Sequence, residues 1–191
     1  MFRRISGLLR VTIRNKMKDF KKIKLLILDN DGVLTDGKII YNENYIESKN
    51  FSAKDGLGIR LLQQTDIKLA IITGRTSKIL ERRCEDFDIQ YLFQMVRNKL
   101  KKTSDLLEEL DLTWENVAYL GDDWNDYPVM KRCAISATPA DAFDTIKDVV
   151  DIVLQHKGGE GAVREFIELI LIENGVFKET VKKLTDYLES C

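Results

Sequence analysis

Two aspartates separated by one residue, Asp29 and Asp31, follow the apolar run Leu25-Leu26-Ile27-Leu28, and a second pair, Asp122 and Asp123, follows Val117-Ala118-Tyr119-Leu120 after Gly121. Carboxylates brought together this way repel one another unless a cation or a shared proton compensates. With no His or Cys beside them they are hard oxygen ligands, suited to Mg²⁺ and unsuited to zinc or copper. Thr73 ends a third apolar run, Asp126 lies three residues past Asp123, and Lys99 opens a segment with leucines at helical spacing. A hydroxyl and an ammonium beside a carboxylate-bound metal give a phosphoryl group the donors and positive charge its oxygens need. These residue types therefore point to phosphoryl transfer.

The elements that must position them alternate. Short apolar runs at Leu25–Leu28, Lys68–Ile72, Gln90–Phe93 and Val117–Leu120 read as strands, with shorter candidates at Cys133–Ser136 and Asp151–Leu154. Helical patterns lie between them, at about Gly56 onward, Lys78–Phe87, Lys99–Leu110, Asn125 onward and Asp141–Lys147, followed by helices over 162–173 and about Lys178–Ser190. Alternation of this kind predicts an α/β domain with a three-layer, Rossmann-like parallel sheet. Ligands of such sheets gather at the carboxyl ends of the strands, where Asp29, Asp31, Thr73, Asp122 and Asp123 fall. Lys38–Tyr41 and Tyr45–Phe51 flank Asn42-Glu43-Asn44 and predict a β-hairpin, an insert at about 38–51.

At 191 residues the chain has the length of one domain. Thirty Lys and Arg against 31 acids leave a net charge of −1, which gives no general attraction to nucleic acid or anionic membrane. Three scattered cysteines, Cys84, Cys133 and Cys191, form no disulfide framework and no paired metal spacing, which fits the reduced cytoplasm. No apolar stretch has membrane-spanning length, and the start lacks a signal-peptide pattern. Residues 1–22 carry eight Lys or Arg and one acid between apolar residues, and are read as a basic N-terminal extension that could form an amphipathic helix; Met17 offers a second start. The expected division is this extension, a domain over 23–175 and a C-terminal helix over 176–191.

Four segments in order, Asp29-Asn30-Asp31-Gly32-Val33-Leu34-Thr35, Thr73-Gly74-Arg75, Lys99 and Gly121-Asp122-Asp123-Trp124-Asn125-Asp126, resemble the motifs of the haloacid dehalogenase superfamily. Thr35-Asp36-Gly37 before the hairpin, Lys54-Asp55-Gly56-Leu57-Gly58-Ile59, Pro128-Val129-Met130 and Lys157–Glu165 extend the resemblance to its 3-deoxy-D-manno-octulosonate 8-phosphate phosphatase family. That resemblance implies a haloacid dehalogenase fold with no large cap domain and a cytoplasmic, Mg²⁺-dependent sugar acid phosphatase of lipopolysaccharide precursor synthesis. It implies Asp29 as nucleophile, Asp31 as acid and base, and Thr73 and Lys99 as holders of the phosphoryl oxygens. The metal would be taken by the Asp29 and Asp122 carboxylates and the Asp31 backbone carbonyl, with Asp123 and Asp126 in support. A homotetramer associating through the hairpins is implied as well, with Lys54, Asp55, Arg75, Gly158, Gly159 and Glu160 as substrate contacts, some across a subunit boundary. Glu160 stands where a basic residue is common in the family, and it leaves a nine-carbon keto-deoxy sugar acid phosphate open as substrate.

Ordinary explanations exist for each residue. Asp-Gly is common in turns, Asp122 and Asp123 could cap the following helix, and Lys99 could belong to a solvated Lys-rich face. The company these residues keep favours chemistry. The lone His156 is read as a surface residue, and Trp114 and Trp124 as packing residues. A phospho-accepting receiver domain, or a scaffold that has lost catalysis, would share some of these features. The hairpin after the first strand disfavours the receiver.

Overall fold

A computed structural model describes residues 3–5, 9–13 and 18–190, the first two segments by backbone alone. The elements run β1 (Arg3–Ile5), β2 (Leu9–Ile13), β3 (Leu25–Leu28), β4 (Ile40–Tyr41), β5 (Glu47–Ser48), α1 (Ala53–Leu62), β6 (Lys68–Ile72), α2 (Lys78–Asp86) and β7 (Tyr91–Phe93). They continue with α3 (Lys99–Glu109), β8 (Val117–Leu120), α4 (Tyr127–Met130), β9 (Ile135–Thr138), α5 (Asp144–Lys147), β10 (Ile152–Val153), α6 (Ala162–Glu173) and α7 (Phe177–Ser190).

Six strands lie parallel in the order β10-β9-β8-β3-β6-β7. The central strand β3 is apolar throughout because both its faces are covered. Leu26 and Leu28 pack with Ile59, Leu62, Leu80, Phe166 and Ile170, bringing α1, α2 and α6 onto one face. Leu25 and Ile27 pack with Leu106, Leu107, Val129 and Ile146, bringing α3, α4 and α5 onto the other. Burying a Leu or Ile side chain stabilises by roughly 1.5–3 kcal/mol, and both faces of β3 contribute such burial. The small insert forms as expected, with β4 and β5 antiparallel and Tyr41 opposite Glu47. No helix among the described residues is long and apolar enough to cross a membrane.

One local expectation is corrected. Residues 9–13 form a strand, antiparallel to β10 with Ile13 opposite Ile152, and β1 pairs outside it. Leu9, Val11 and Ile13 alternate with Arg10 and Thr12, and this period of two favours a strand where a sheet edge is free to accept one. The other residues of 1–17 lie outside the described ones. Lys18 ties the chain to the sheet ahead of β3, donating to the Ala134 carbonyl at 2.7 Å and pairing with Asp151 at 3.0 Å.

Candidate active site

The carboxyl ends of β3, β6 and β8 carry the expected residues to one open cleft of about 340 Å³. Asp29, Asp31, Gly37, Thr73, Gly74, Arg75, Asp122 and Asp123 line it, together with Trp124 and Asn125. Past β3 the chain winds tightly, since the Asn30 carbonyl accepts from the backbone N–H groups of Val33, Leu34 and Thr35 at 3.3, 2.9 and 3.1 Å. Gly32 makes that winding possible. Its φ is +84°, and a Cβ there would lie 2.0 Å from Asp122 Oδ2, so only glycine lets the two acidic loops touch.

Lys99 is the hub of the floor. It stands at the first position of α3, 3% exposed, and its ammonium lies 2.9 Å from Asp29 Oδ1 and 2.7 Å from Asp126 Oδ1. Burial alone would lower its pKa, but the Asp29 and Asp126 carboxylates outweigh burial and hold it above the usual lysine range. Asp126 is fully buried and fully used. The Tyr119 hydroxyl donates to its Oδ1 at 2.6 Å, and the backbone N–H groups of Asp122 and Asp123 reach Oδ2 at 3.1 and 3.5 Å. Tyr119 sits in β8, in a run that reads as purely apolar, and nothing in that run marks its hydroxyl as part of the site.

Burial, and then repulsion from Asp126, pushes the Asp29 carboxyl up to about 7 despite Lys99. Asp122 is pushed up to about 8, by burial first and then by Asp29 and Asp126. Asp29, Asp122 and Asp126 offer oxygens within 4.8 Å of one another. Acids this crowded and this raised fit a hard divalent cation, and the all-oxygen donor set fits Mg²⁺. Because Asp126 is saturated with hydrogen bonds, Asp29 and Asp122 are the carboxylates best placed to hold it. The hydrogen bonds to Asp29, from Lys99 and from the Asn30 N–H at 2.7 Å, fall on Oδ1. Thr73 is buried at the end of β6, its hydroxyl accepting from the Arg75 N–H at 3.4 Å.

Of the residues expected to touch substrate, only Arg75 lines the cleft. Asp55 is corrected. It is 1% exposed, and its oxygens accept from the backbone N–H groups of Gly161 and Arg164 at 3.2 and 2.8 Å, capping α6. Gly158 and Gly159 also serve packing, with their N–H groups given to Asp141 Oδ1 and the Val33 carbonyl. A Cβ on Gly158 would meet the Gly32 carbonyl at 1.9 Å, so this loop is the backing of the acidic loop. Lys54 and Glu160 are exposed and line no part of the cleft. His156 stands apart from the acids, its Nδ1 2.8 Å from the buried Glu165. Trp124 reverses its expected role, for it is 51% exposed at the cleft and meets Tyr127 edge-on at 5.4 Å, whereas Trp114 packs on the core.

A parallel sheet with paired acids after β3, Thr73 after β6, Lys99 heading α3 and three acids after β8 defines the class as a haloacid dehalogenase-like hydrolase. The model of the family described as haloacid dehalogenase-like hydrolase matches residues 92–167. The chain is 47% identical over 163 residues to 3-deoxy-D-manno-octulosonate 8-phosphate phosphatase of Escherichia coli (strain B / BL21-DE3), covering 85% of this chain and 87% of that one. A crystal structure of the phosphatase of that name from Yersinia pestis superposes with a TM-score of 0.81 at 42% identity, covering 83% of this chain and 86% of the other. That from Moraxella catarrhalis, in complex with a magnesium ion, a phosphate ion and KDO, gives 0.83 at 36% identity, covering 86% and 94%. The chain belongs to the 3-deoxy-D-manno-octulosonate 8-phosphate phosphatase family.

Proposed function

We propose that this chain is a Mg²⁺-dependent phosphomonoesterase that hydrolyses 3-deoxy-D-manno-octulosonate 8-phosphate to the sugar acid and phosphate, in the cytoplasm, in lipopolysaccharide precursor synthesis. The observation that carries the reading is the Asp29–Lys99–Asp126 chain beside Asp122, a nucleophile, a cation and a metal-ready acid fixed together at one set of strand ends.

Asp29, Asp122 and the Asp31 backbone carbonyl would hold Mg²⁺, which would supply positive charge to the phosphoryl oxygens and let the crowded acids ionise together. The protein's own groups do the rest. Lys99 and the Asn30 N–H hold Asp29 Oδ1, which leaves Oδ2 to attack phosphorus. As that bond forms, the bond from phosphorus to the sugar oxygen breaks, and the Asp31 proton passes to the departing oxygen. Water then attacks the aspartyl-phosphate, gives its proton to Asp31, and restores Asp29. Thr73 and Lys99 bind the transferred oxygens, and Arg75 at the rim suits the sugar acid's own negative charge.

A homotetramer fits the hairpin. Ile39, Ile40, Tyr41, Tyr45 and Ile46 are all exposed there, an apolar patch of the kind that marks contact with another chain. Neighbouring subunits would then bring Lys54 and Glu160 toward substrate.

Phosphate release from the eight-carbon substrate and from a nine-carbon keto-deoxy sugar acid 9-phosphate, with Mg²⁺ and with chelator, tests the reading. The eight-carbon ester should turn over faster, and only with metal. Preference for the nine-carbon ester would move the substrate assignment to the Glu160 alternative. Silence on both would overturn the phosphatase reading in favour of a scaffold.

A further inference from the structure

Asp31 is held by a residue that the motif does not contain. Lys49, just past β5 in the hairpin, has a fully buried side chain, and its ammonium lies 2.5 Å from Asp31 Oδ1 and 3.4 Å from Glu47 Oε1. Asn30 Nδ2 donates to the same Asp31 oxygen at 3.0 Å. Both hydrogen bonds therefore fall on Oδ1, and Oδ2, with Arg75 Nε 3.7 Å away, is the oxygen presented to a ligand. The Asp31 carboxylate also stands outside the group formed by Asp29, Asp122 and Asp126.

Lys49 is itself fixed by a latch. Glu47 accepts from the hydroxyl of Ser77, the residue that caps α2, at 2.6 Å, and Tyr41 OH accepts from Arg75 at 2.7 Å. Glu47 Oε1 and Arg75 Nε are buried without a full hydrogen bond of their own, 3.4 and 3.7 Å from Lys49 and Asp31. Two two-residue strands make a hairpin that is marginal by itself, so these polar links to the β6–α2 loop are what seat it over the acids.

We propose that Lys49 is a positioning residue for Asp31, turning the carboxyl away from the metal-binding acids and presenting Oδ2 to the leaving oxygen, so that the hairpin sets the proton-transfer step within its own subunit. This rests on the phosphatase reading above. A buried ammonium that lines no part of the cleft and touches Asp31 acts through Asp31, so its removal should slow proton delivery and leave substrate affinity little changed.

The test is steady-state kinetics of the full chain with Mg²⁺ on two esters, the sugar acid 8-phosphate, whose alkoxide must be protonated as it leaves, and p-nitrophenyl phosphate, whose phenolate leaves without a proton. Lys49→Met should lower kcat on the sugar phosphate by roughly tenfold or more, with KM within about threefold, and slow the aryl ester much less. Lys49→Arg should recover most of the loss. In an Asp31→Asn background, Lys49→Met should add little, since the two act as one unit. Equal loss on both esters, a raised KM with kcat intact, or additive losses would overturn the proposal. Should Lys49→Met fail to fold, Glu47→Gln, which loosens the latch, must show the same dependence on leaving group at smaller size, and its absence overturns the proposal too. A wild type inactive on the sugar phosphate but active on the aryl ester would count against the substrate assignment alone.

Discussion

At the floor of the cleft Lys99 joins Asp29 and Asp126 on side chains that leave neighbouring strands and the head of an eleven-residue helix, while at its edge Lys49 joins Asp31 and Glu47 from a hairpin whose strands have two residues each. Both are lysines between two carboxylates, and both ammonium groups are out of water. The floor is backed by the core, with Tyr119 and Asp126 fully buried. The hairpin is backed by a few polar links and exposes its apolar residues. The contrast separates two tasks. The groups proposed to meet phosphorus stand on the part of the fold with the most buried backing, and the lysine proposed to aim the leaving-group acid stands on a hairpin held by a few polar links.

The largest effect is expected from Asp29→Asn. The floor should lose at least about 10³-fold in kcat while the fold keeps or gains stability, because the change removes a crowded charge. A variant that retains turnover would put the nucleophile elsewhere.

Next in size is the dependence on pH. Asp29 and Asp122 titrate near 7 and 8 in the fold, above the ordinary carboxyl value, so their neutral forms favour the folded state. That contribution is complete below the unfolded pKa, about 4, and is lost as pH rises through 7 to 8. The metal-free protein should therefore melt progressively lower over this range. Mg²⁺ should restore it most at the alkaline end, and its apparent affinity should weaken by roughly tenfold or more from pH 8 to 6 as protons compete. Thermal melts with and without Mg²⁺, with calorimetry in buffers of different ionisation heat, read both trends. A Mg²⁺ affinity flat over that range would remove the argument that these acids are metal-ready.

Tyr119→Phe should have an intermediate effect. It deletes one of the bonds on buried Asp126 and should cost about 1–2 kcal/mol in denaturant unfolding, with kcat reduced as Lys99 loosens. Smallest should be Tyr41→Phe on the hairpin, which frees Arg75 from one exposed partner. Stability should stay within about 0.5 kcal/mol and KM for the sugar phosphate should shift by no more than a few-fold. A larger unfolding cost for Tyr41→Phe than for Tyr119→Phe would erase the distinction between the two sides.

Legibility in the amino-acid sequence divides along the same line. Leu25–Leu28 and Val117–Leu120 are uninterrupted apolar runs that end in acids, so the strands and the edge where the acids gather can be read directly, and the alternation with helices gives their parallel arrangement. Residues whose partners are remote cannot. Asp55 looks like a polar residue near a site, yet it caps a helix whose N–H groups are 106 and 109 residues away. Lys49 is one charge among several in a polar hairpin, and Tyr119 is hidden in a strand that must be apolar anyway. In residues 9–13 the alternation is present in the sequence, but the basic composition around it suggests a helix. Only a free sheet edge decides for a strand.

The seating of Gly158 and Gly159 against Gly32 and Thr35 has a consequence for how the molecule is made. The loop bearing Asp29 and Asp31 leaves the ribosome well before the segment that backs it. During synthesis the strands can collapse into a sheet while their charged tips stand in water, where like charges repel only weakly. Closure by 157–161 and the capping of α6 by Asp55 then confine those charges, so the crowding of the acids waits on contacts distant in sequence.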